Sequence, residues 1–591
     1  MAGQWIGLKK SFVFALCAVS LVLGSCTLKT KSEPPSTLHL IAQEKIKGLD
    51  PIYADDLYTG IQTSQVYETL LQYHYLKRPY VLVPGLAESL PEVSADGLSY
   101  TFKLKKGVLF QDDPCFKASN GKGRELTAED VVYSFKRLAD PRLNSSGWWI
   151  LDGKVSGLNA WRDAALNARS TDYSQVVEGL KATDRYTVKI KILRRSSQLL
   201  YLLAMPFASI VPSEAVDAYG KEFINHAVGT GAFRLSEYSP SSRIVWVKNP
   251  TYRLETYPTE GEPGDQEAGL LADAGKPLPL ADRVDVQVLV EQQPVWLNFM
   301  SGKVDLSVIP KDNFAEAITL GKELTPELRS KKIHLIKKAS LDVTHLTFNM
   351  ADPLMGKNKL LRQALSLAYD GSTFIDLFYN GRALPAQGPI PPGIAGYDPG
   401  LRNPYRQFNI TRAKELLAKA GFPGGKDLPP LELATLADST GRQMSEYTQK
   451  MASAIGVTVN VNAYSWPQFL DAIKNKKAQI WEYAWNADYP DGENFLQLFY
   501  SKNASPGPND ANYSNPDFDK LYEKSLTLPD GAIRTALYKQ MVSILIEDCP
   551  WIFGSHRLSF VLTQGWLKNY KPNDFDHSSY KFYRIDTTAK K

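Results

Sequence analysis

Histidine pairs at helical spacing are missing from this chain. Its seven histidines, at 39, 74, 226, 334, 345, 556 and 577, include no two that lie three or four residues apart, so no helix presents a two-histidine metal face. Cys-x-x-Cys, Gly-x-Ser-x-Gly and phosphate-loop motifs are missing too. Gly269 to Lys276 comes nearest to the last, but five residues separate its glycines and Pro277 stands where Ser or Thr is required. Asp488, Asp491 and Glu493 miss the alternating ligand positions of a calcium loop. No cofactor or resident metal is therefore expected. The net charge of +5 comes from scattered lysines and arginines without a basic run, which argues against nucleic acid as a partner. After Cys26 no stretch approaches 18 uninterrupted apolar residues, so nothing there is expected to cross a bilayer. Paired acids occur in any chain of this size, so an exported hydrolase using two carboxylates stays open as an alternative.

Cysteine is scarce, with four in 591 residues. Cys17 and Cys26 lie at the start, and the spacing of Cys115 and Cys549 leaves both a disulfide and two free thiols open. Lys9 and Lys10 precede Ser11 to Leu23, thirteen residues made almost entirely of Phe, Val, Ala and Leu. That run is too short to span a bilayer and suits the apolar core of an export signal. It closes on Leu23-Gly24-Ser25-Cys26, which resembles a bacterial lipobox. The resemblance implies that residues 1–25 are a signal peptide, and that lipid on Cys26 tethers the mature chain to a membrane. Residues 26–36, with Lys29, Lys31, Pro34 and Pro35, read as a flexible leash. Thr27 rather than Asp follows Cys26, so the inner-membrane retention signal of some two-membrane bacteria is missing. A periplasmic or cell-surface location follows, with inner and outer membrane left open.

The remaining length exceeds what one core usually serves, and two or three subdomains are expected. Thr37 to Gln43 reads as a strand and about Ile61 to Leu71 as a helix. Tyr100 to Leu104 alternates as a half-buried strand does. Thr127 with Asp130 three residues on is a capping box opening a helix through Leu138. Glu255 to Leu280, rich in Pro, Gly and acids, reads as a long surface loop. Val284 to Val290 restores a strand pattern. Lys359 to Ala368 and Arg412 to Ala420 have helical spacing, the second stopped by Gly421. Ala383 to Pro399 is a Pro- and Gly-rich connection. No internal repeat is visible. Mixed strands and helices give an α/β or α+β class, and the 65 aromatic residues (30 Tyr, 24 Phe, 11 Trp) suit both a core and a pocket for varied ligands.

Several segments in order resemble the family 5 extracellular solute-binding proteins, the oligopeptide- and dipeptide-binding lipoproteins of ABC importers. They are Leu82 to Ser89, Asp96 to Val108, Leu126 to Pro141, Val228-Gly229-Thr230-Gly231-Ala232-Phe233 with Asn249-Pro250, Arg362 to Leu365, Gly388 to Gly393, and Tyr483 to Phe495. The resemblance implies an α/β two-lobed periplasmic-binding-protein fold of type II, peptide-binding class, with an extra subdomain in the first lobe. Residues 37–290 are expected to form the first lobe with that subdomain, 291–555 the second lobe, and 556–591 a return to the first. It further implies a non-enzymatic, monomeric receptor that binds a peptide ligand between its lobes and delivers it to an ABC transporter permease. Nickel chelates, haem and oligosaccharides are carried by the same fold and stand as alternatives.

In similar peptide binders an aspartate that follows a tryptophan grips the ligand's α-ammonium. Asp488 occupies that position here, with Trp485, Asn486 and Ala487 before it. Ala484 stands where the family often has glycine. Main-chain pairing of an extended peptide implies Ile41, Ala42 and Gln43 as backbone contacts. Trp148 and Trp149 fall in a region that faces the groove in relatives. The residue holding a ligand's C-terminus is not identifiable among so many lysines and arginines.

Overall fold

Apolar alternation organises the first sheet. In the computed structural model, which describes residues 33–78, 80–528 and 531–590, strand Thr37–Ala42 lies parallel to Arg283–Val288, with Leu38 beside Val284 and Leu40 beside Val286. All four side chains are buried, as one face of a pleated strand requires. Arg243–Lys248 and Phe233–Ser239 complete a four-stranded sheet whose edge is Thr37–Ala42. The expected signal peptide, Cys26 and the leash to residue 32 lie outside the described residues.

The extra subdomain carries an antiparallel sheet ordered Glu92–Val93, Ser99–Lys103, Thr187–Lys191 and Leu180–Asp184. Tyr100 and Phe102 point into the core, as the alternation predicts. Helix Ala128–Ala139 packs on this sheet. Its Thr127–Asp130 capping box forms with both reciprocal bonds, which satisfies amides that would otherwise point nowhere. At its last turn, buried Arg137 grips buried Asp50 through Nη1 at 2.7 Å and Nη2 at 2.5 Å.

The second lobe is built on five strands in the order Val459–Tyr464, Leu431–Leu436, Ile480–Asn486, Asp342–Phe348 and Trp551–Phe553. The first three run parallel and the last two pairings are antiparallel. Asp342–Phe348 is buried along its whole length. Two segments join the lobes. His334–Ala339 leads within a short turn into Asp342–Phe348, and Trp551–Phe553 leads through Gly554 into Ser555–Thr563. Ser555–Thr563 pairs with Leu306–Val308, His334–Ala339 and Ala383–Pro385. A Cβ on Gly554 would sit 2.6 Å from Thr344 Oγ1 and 2.8 Å from its carbonyl oxygen, so this crossing passes only as glycine.

Two expectations change, and the choice left open for the cysteines is resolved. The helix expected over about 61–71 spans Leu57–Thr63 instead. Asp56 caps it by accepting from Thr59 N at 3.0 Å. Beyond it the chain passes through a turn at residues 64–66, where the carbonyls of Gln65 and Val66 accept from Phe233 N and Gly231 N instead of continuing the helix. Glu255 to Leu280 does lack regular elements, yet it is no loose surface loop. Tyr257, Asp265 and Asp273 are buried, and Lys571 and Arg584 of the C-terminal segment bridge Asp265 and Asp273 at 2.8 and 2.6 Å. Cys115 and Cys549 are free thiols buried in separate apolar cores. Among the described residues, no helix is long and apolar enough to cross a membrane.

Candidate functional site

Between the two main sheets lies a cavity of about 670 Å³, within the usual range for a bound small molecule. Strand Ile480–Asn486 and the turn after it form one wall, the segment after Thr37–Ala42 and helix Leu57–Thr63 form another, and the crossing strand Ser555–Thr563 closes the floor. Tyr58 meets Trp466 edge to face across it, with ring centroids 6.1 Å apart.

The wall after Ile480–Asn486 is held by one buried side chain. Asn494, 0% exposed, accepts at Oδ1 from Trp485 Nε1 at 3.0 Å and from Asp488 N at 2.9 Å, and its Nδ2 donates to Asp488 Oδ2 at 3.0 Å. Ala487 N donates to Leu341 O at 2.8 Å. One amide thus fixes the indole, the turn and the carboxylate together. Asp488 has no cationic partner among the described residues. Burial pushes its pKa up to about 7; the Asn494 bond opposes that rise, and nearby Glu493 adds to it. Glu493 is itself held by the hydroxyls of Tyr489 at 2.5 Å and of Tyr522, and Asp491 by Arg534 at 2.7 Å. The buried Tyr73 hydroxyl, without a hydrogen-bond partner among the described residues, lies close enough to Asp488 for its own pKa to be raised by burial, Tyr201 and that carboxylate.

Other acids face the same space. Glu44 is pushed up to about 7 by burial, then by Asp438 and Asp56, and Glu482 to about 7 by burial against the opposing pull of Arg557. Most cations of the lining are already paired. Lys474 reaches Asp510 at 2.7 Å, Arg557 reaches Asp342 at 2.5 Å, and Lys311 reaches Asp312 at 2.7 Å. The cavity lining therefore holds more carboxylate than cation, and a ligand bearing an ammonium group would restore the ionised form of a desolvated acid.

Of the residues singled out in sequence, Trp485, Asn486, Ala487, Asp488, Gln43 and Trp149 line this cavity, as does Ala484. Ile41, Ala42 and Trp148 are not part of its lining. Trp148 sits under the Arg162 guanidinium, 5.0 Å from the ring centroid. Ala42 O accepts from Leu289 N at 3.0 Å, which turns that residue's main chain inward, whereas His39 O accepts from Asp305 N on the opposite side. Alternation then directs the main chain of Ile41 and Gln43 to the open edge of the sheet. Asn494, Glu44, Glu482 and Arg382 were not singled out. Only Asn494 carried a signal, since it falls within the segment Tyr483 to Phe495 that carries the family resemblance.

A model of the bacterial extracellular solute-binding proteins, family 5, matches residues 81–507. "Heme-binding protein A" of Haemophilus influenzae is 26% identical over 99% of this chain and 100% of its own length. "Di/tripeptide-binding protein 2" of Pseudomonas aeruginosa is 26% identical over 93% of this chain and 95% of its own. Among solved structures, the periplasmic binding protein DppA of Helicobacter pylori in complex with peptide STSA superposes with a TM-score of 0.75 at 24% identity, over 93% of this chain and 98% of that one. The murein tripeptide binding protein MppA of Escherichia coli gives 0.76 at 21% identity, over 94% and 99%.

Proposed function

Since this chain belongs to the family 5 bacterial extracellular solute-binding proteins, we propose that it captures oligopeptides in the interlobe cavity and delivers them to the permease of an ABC importer. Residues 37 to about 340 and 556–591 would form one lobe and about 341–555 the other, the first boundary falling at the crossing after His334–Ala339 rather than at 290, with hinging about the crossing strands. Lipid on Cys26 would keep the receptor, working as a monomer, at the membrane beside its permease, with two acyl chains giving durable attachment. No catalytic role is assigned to it.

The observation that carries the reading is Asp488, a desolvated carboxyl without a cationic partner among the described residues, held by Asn494 on the wall of a cavity of ligand size. A peptide's α-ammonium supplies the missing charge through short, charge-assisted bonds and does so whatever the side chains are. The open edge at Ile41 and Gln43 would add main-chain pairing, which is equally indifferent to sequence. Trp485, Asn486, Ala487 and Trp149 would wall the ligand. Acetylating the N-terminus of a bound peptide is the test. The expected loss is two to four decades in Kd, corresponding to about 3–5 kcal/mol for a buried charge stripped of its partner. Full-strength binding of acetylated peptide would refute the assignment.

A second reading, haem as ligand, is favoured by the likeness to the Haemophilus influenzae protein named above. Mass spectrometry of what co-purifies with the mature chain separates the two: a ladder of short peptides supports the first, a porphyrin the second.

A further inference from the structure

Arg382 is the exception among the cations that line the cavity. Its main chain is fixed at the hinge, where Leu558 N donates to Arg382 O at 2.8 Å and the following strand, Ala383–Pro385, pairs with Ser555–Arg557. Its guanidinium lies over the Phe314 ring at 4.5 Å and near that of Phe560 at 5.6 Å. Nε donates to Tyr379 O at 3.0 Å and Nη2 to Ile309 O at 3.4 Å. A guanidinium has five N–H donors, so three are left for another acceptor. Among the described residues it has no carboxylate partner, whereas Lys311, Lys474 and Arg557 each have one.

From this placement we infer that Arg382 receives a carboxylate of the bound ligand. A planar guanidinium laid against two touching rings, whose centroids are 5.9 Å apart, and tied to two carbonyls has little freedom left, and its remaining donors match a carboxylate's two oxygens. Neutral acceptors would satisfy the bonds but leave the cation uncompensated in the cavity wall. Burial lowers its pKa only to about 10, so the charge persists at neutral pH. With Asp488 it would make the cavity bipolar, selecting ligands that carry both an ammonium and a carboxylate. The inference rests on the cavity being the peptide site.

A peptide's C-terminus supplies this carboxylate, either exclusively or with an acidic side chain able to replace it, and a calorimetric panel separates the two cases. The probes are trialanine, its N-acetyl form, its C-terminal amide, and the amide of Ala-Ala-Glu, titrated into the mature chain and into Arg382→Gln and Arg382→Lys. Amidation of trialanine is expected to weaken binding to the wild type at least tenfold. Arg382→Gln should bind acid and amide alike, and Arg382→Lys should retain part of the discrimination with an unchanged melting temperature. Recovery with the Glu-containing amide shows that Arg382 takes any carboxylate; no recovery shows that it takes the terminus. Equal binding of acid and amide to the wild type overturns the inference, as does wild-type discrimination in Arg382→Gln. Sensitivity to acetylation without sensitivity to amidation removes Arg382 and leaves Asp488 in place, whereas indifference to both, or binding of none of the four, removes both.

Discussion

Peptide affinity should depend on pH with a slope that belongs to Asp488. In the empty protein this carboxyl titrates near 7, raised by burial, and only its ionised form pairs with an ammonium. Each unit of pH below 7 therefore lowers affinity about tenfold, or about 1.4 kcal/mol. At pH 5.5 only about 3% of the ligand-free protein is ionised at this position, against about three-quarters at pH 7.5, so Kd should rise about 25-fold between them. Above about 8 the ligand's own α-amino group loses its proton, and affinity should fall again. Binding near pH 6 should accordingly release close to one proton from Asp488, visible as a dependence of calorimetric heat on buffer ionisation enthalpy. Glu44 and Glu482 titrate in the same range, so the comparison is with Asp488→Asn. That variant should bind two to four decades more weakly and lose about one proton of linkage. A flat profile between pH 5 and 7.5, or an unchanged slope in Asp488→Asn, would refute the argument.

The same raised carboxyls set the stability of the empty protein. Because Asp488, Glu44 and Glu482 hold protons in the fold that the unfolded chain has already released, stability falls as pH rises from about 4 to about 7 and levels off above it. The empty protein should melt higher at pH 5.5 than at pH 8, as scanning calorimetry would show. Asn494→Ala removes three hydrogen bonds from a fully buried site and is expected to cost about 2–4 kcal/mol in urea unfolding; an effect below 0.5 kcal/mol would contradict its assigned role. Arg137→Met leaves Asp50 buried without its cation, a loss of about 3–5 kcal/mol. Gly229→Ala places a Cβ 2.0 Å from Val66 O, so about 1–3 kcal/mol of overpacking should appear in the same assay.

Features encoded within a few neighbouring residues were legible in the sequence. Thr127 with Asp130 announced the helix it caps, because both partners of the capping box lie within one turn. Tyr100 and Phe102 announced a strand by alternation. Trp485 to Asp488 were found because they sit together in one motif-bearing turn, and the structure places all four on the cavity. The helix at Leu57–Thr63 was misplaced because its register is set by Asp56 and its end by strand partners about 165 residues away in Gly231 and Phe233. Glu44, Glu482 and Arg382 left no trace for a similar reason. Each is an ordinary surface-type residue in sequence, and only the meeting of distant segments desolvates it.

That meeting also bears on how the lobes close. In the structure they touch through the Tyr58–Trp466 edge contact, the Tyr201–Tyr489 stack at 5.8 Å and a bond of 2.9 Å from Ser439 Oγ to Glu291. Opposed to these, Glu44 beyond the first-lobe strand Thr37–Ala42 faces Asp438 beyond the second-lobe strand Leu431–Leu436, near enough for the Asp438 carboxylate to add to the rise that burial gives Glu44. Like charges brought together in a low-dielectric cleft repel, and protonation of Glu44 relieves that repulsion. The ligand-free protein is thus expected to favour the open form at pH 8 and the closed form at pH 5.5, with Glu44→Gln shifted toward closure at pH 8. Small-angle scattering reads this directly as a radius of gyration. An identical radius at the two pH values, unmoved by Glu44→Gln, would mean that the carboxylates across the cleft do not hold it open.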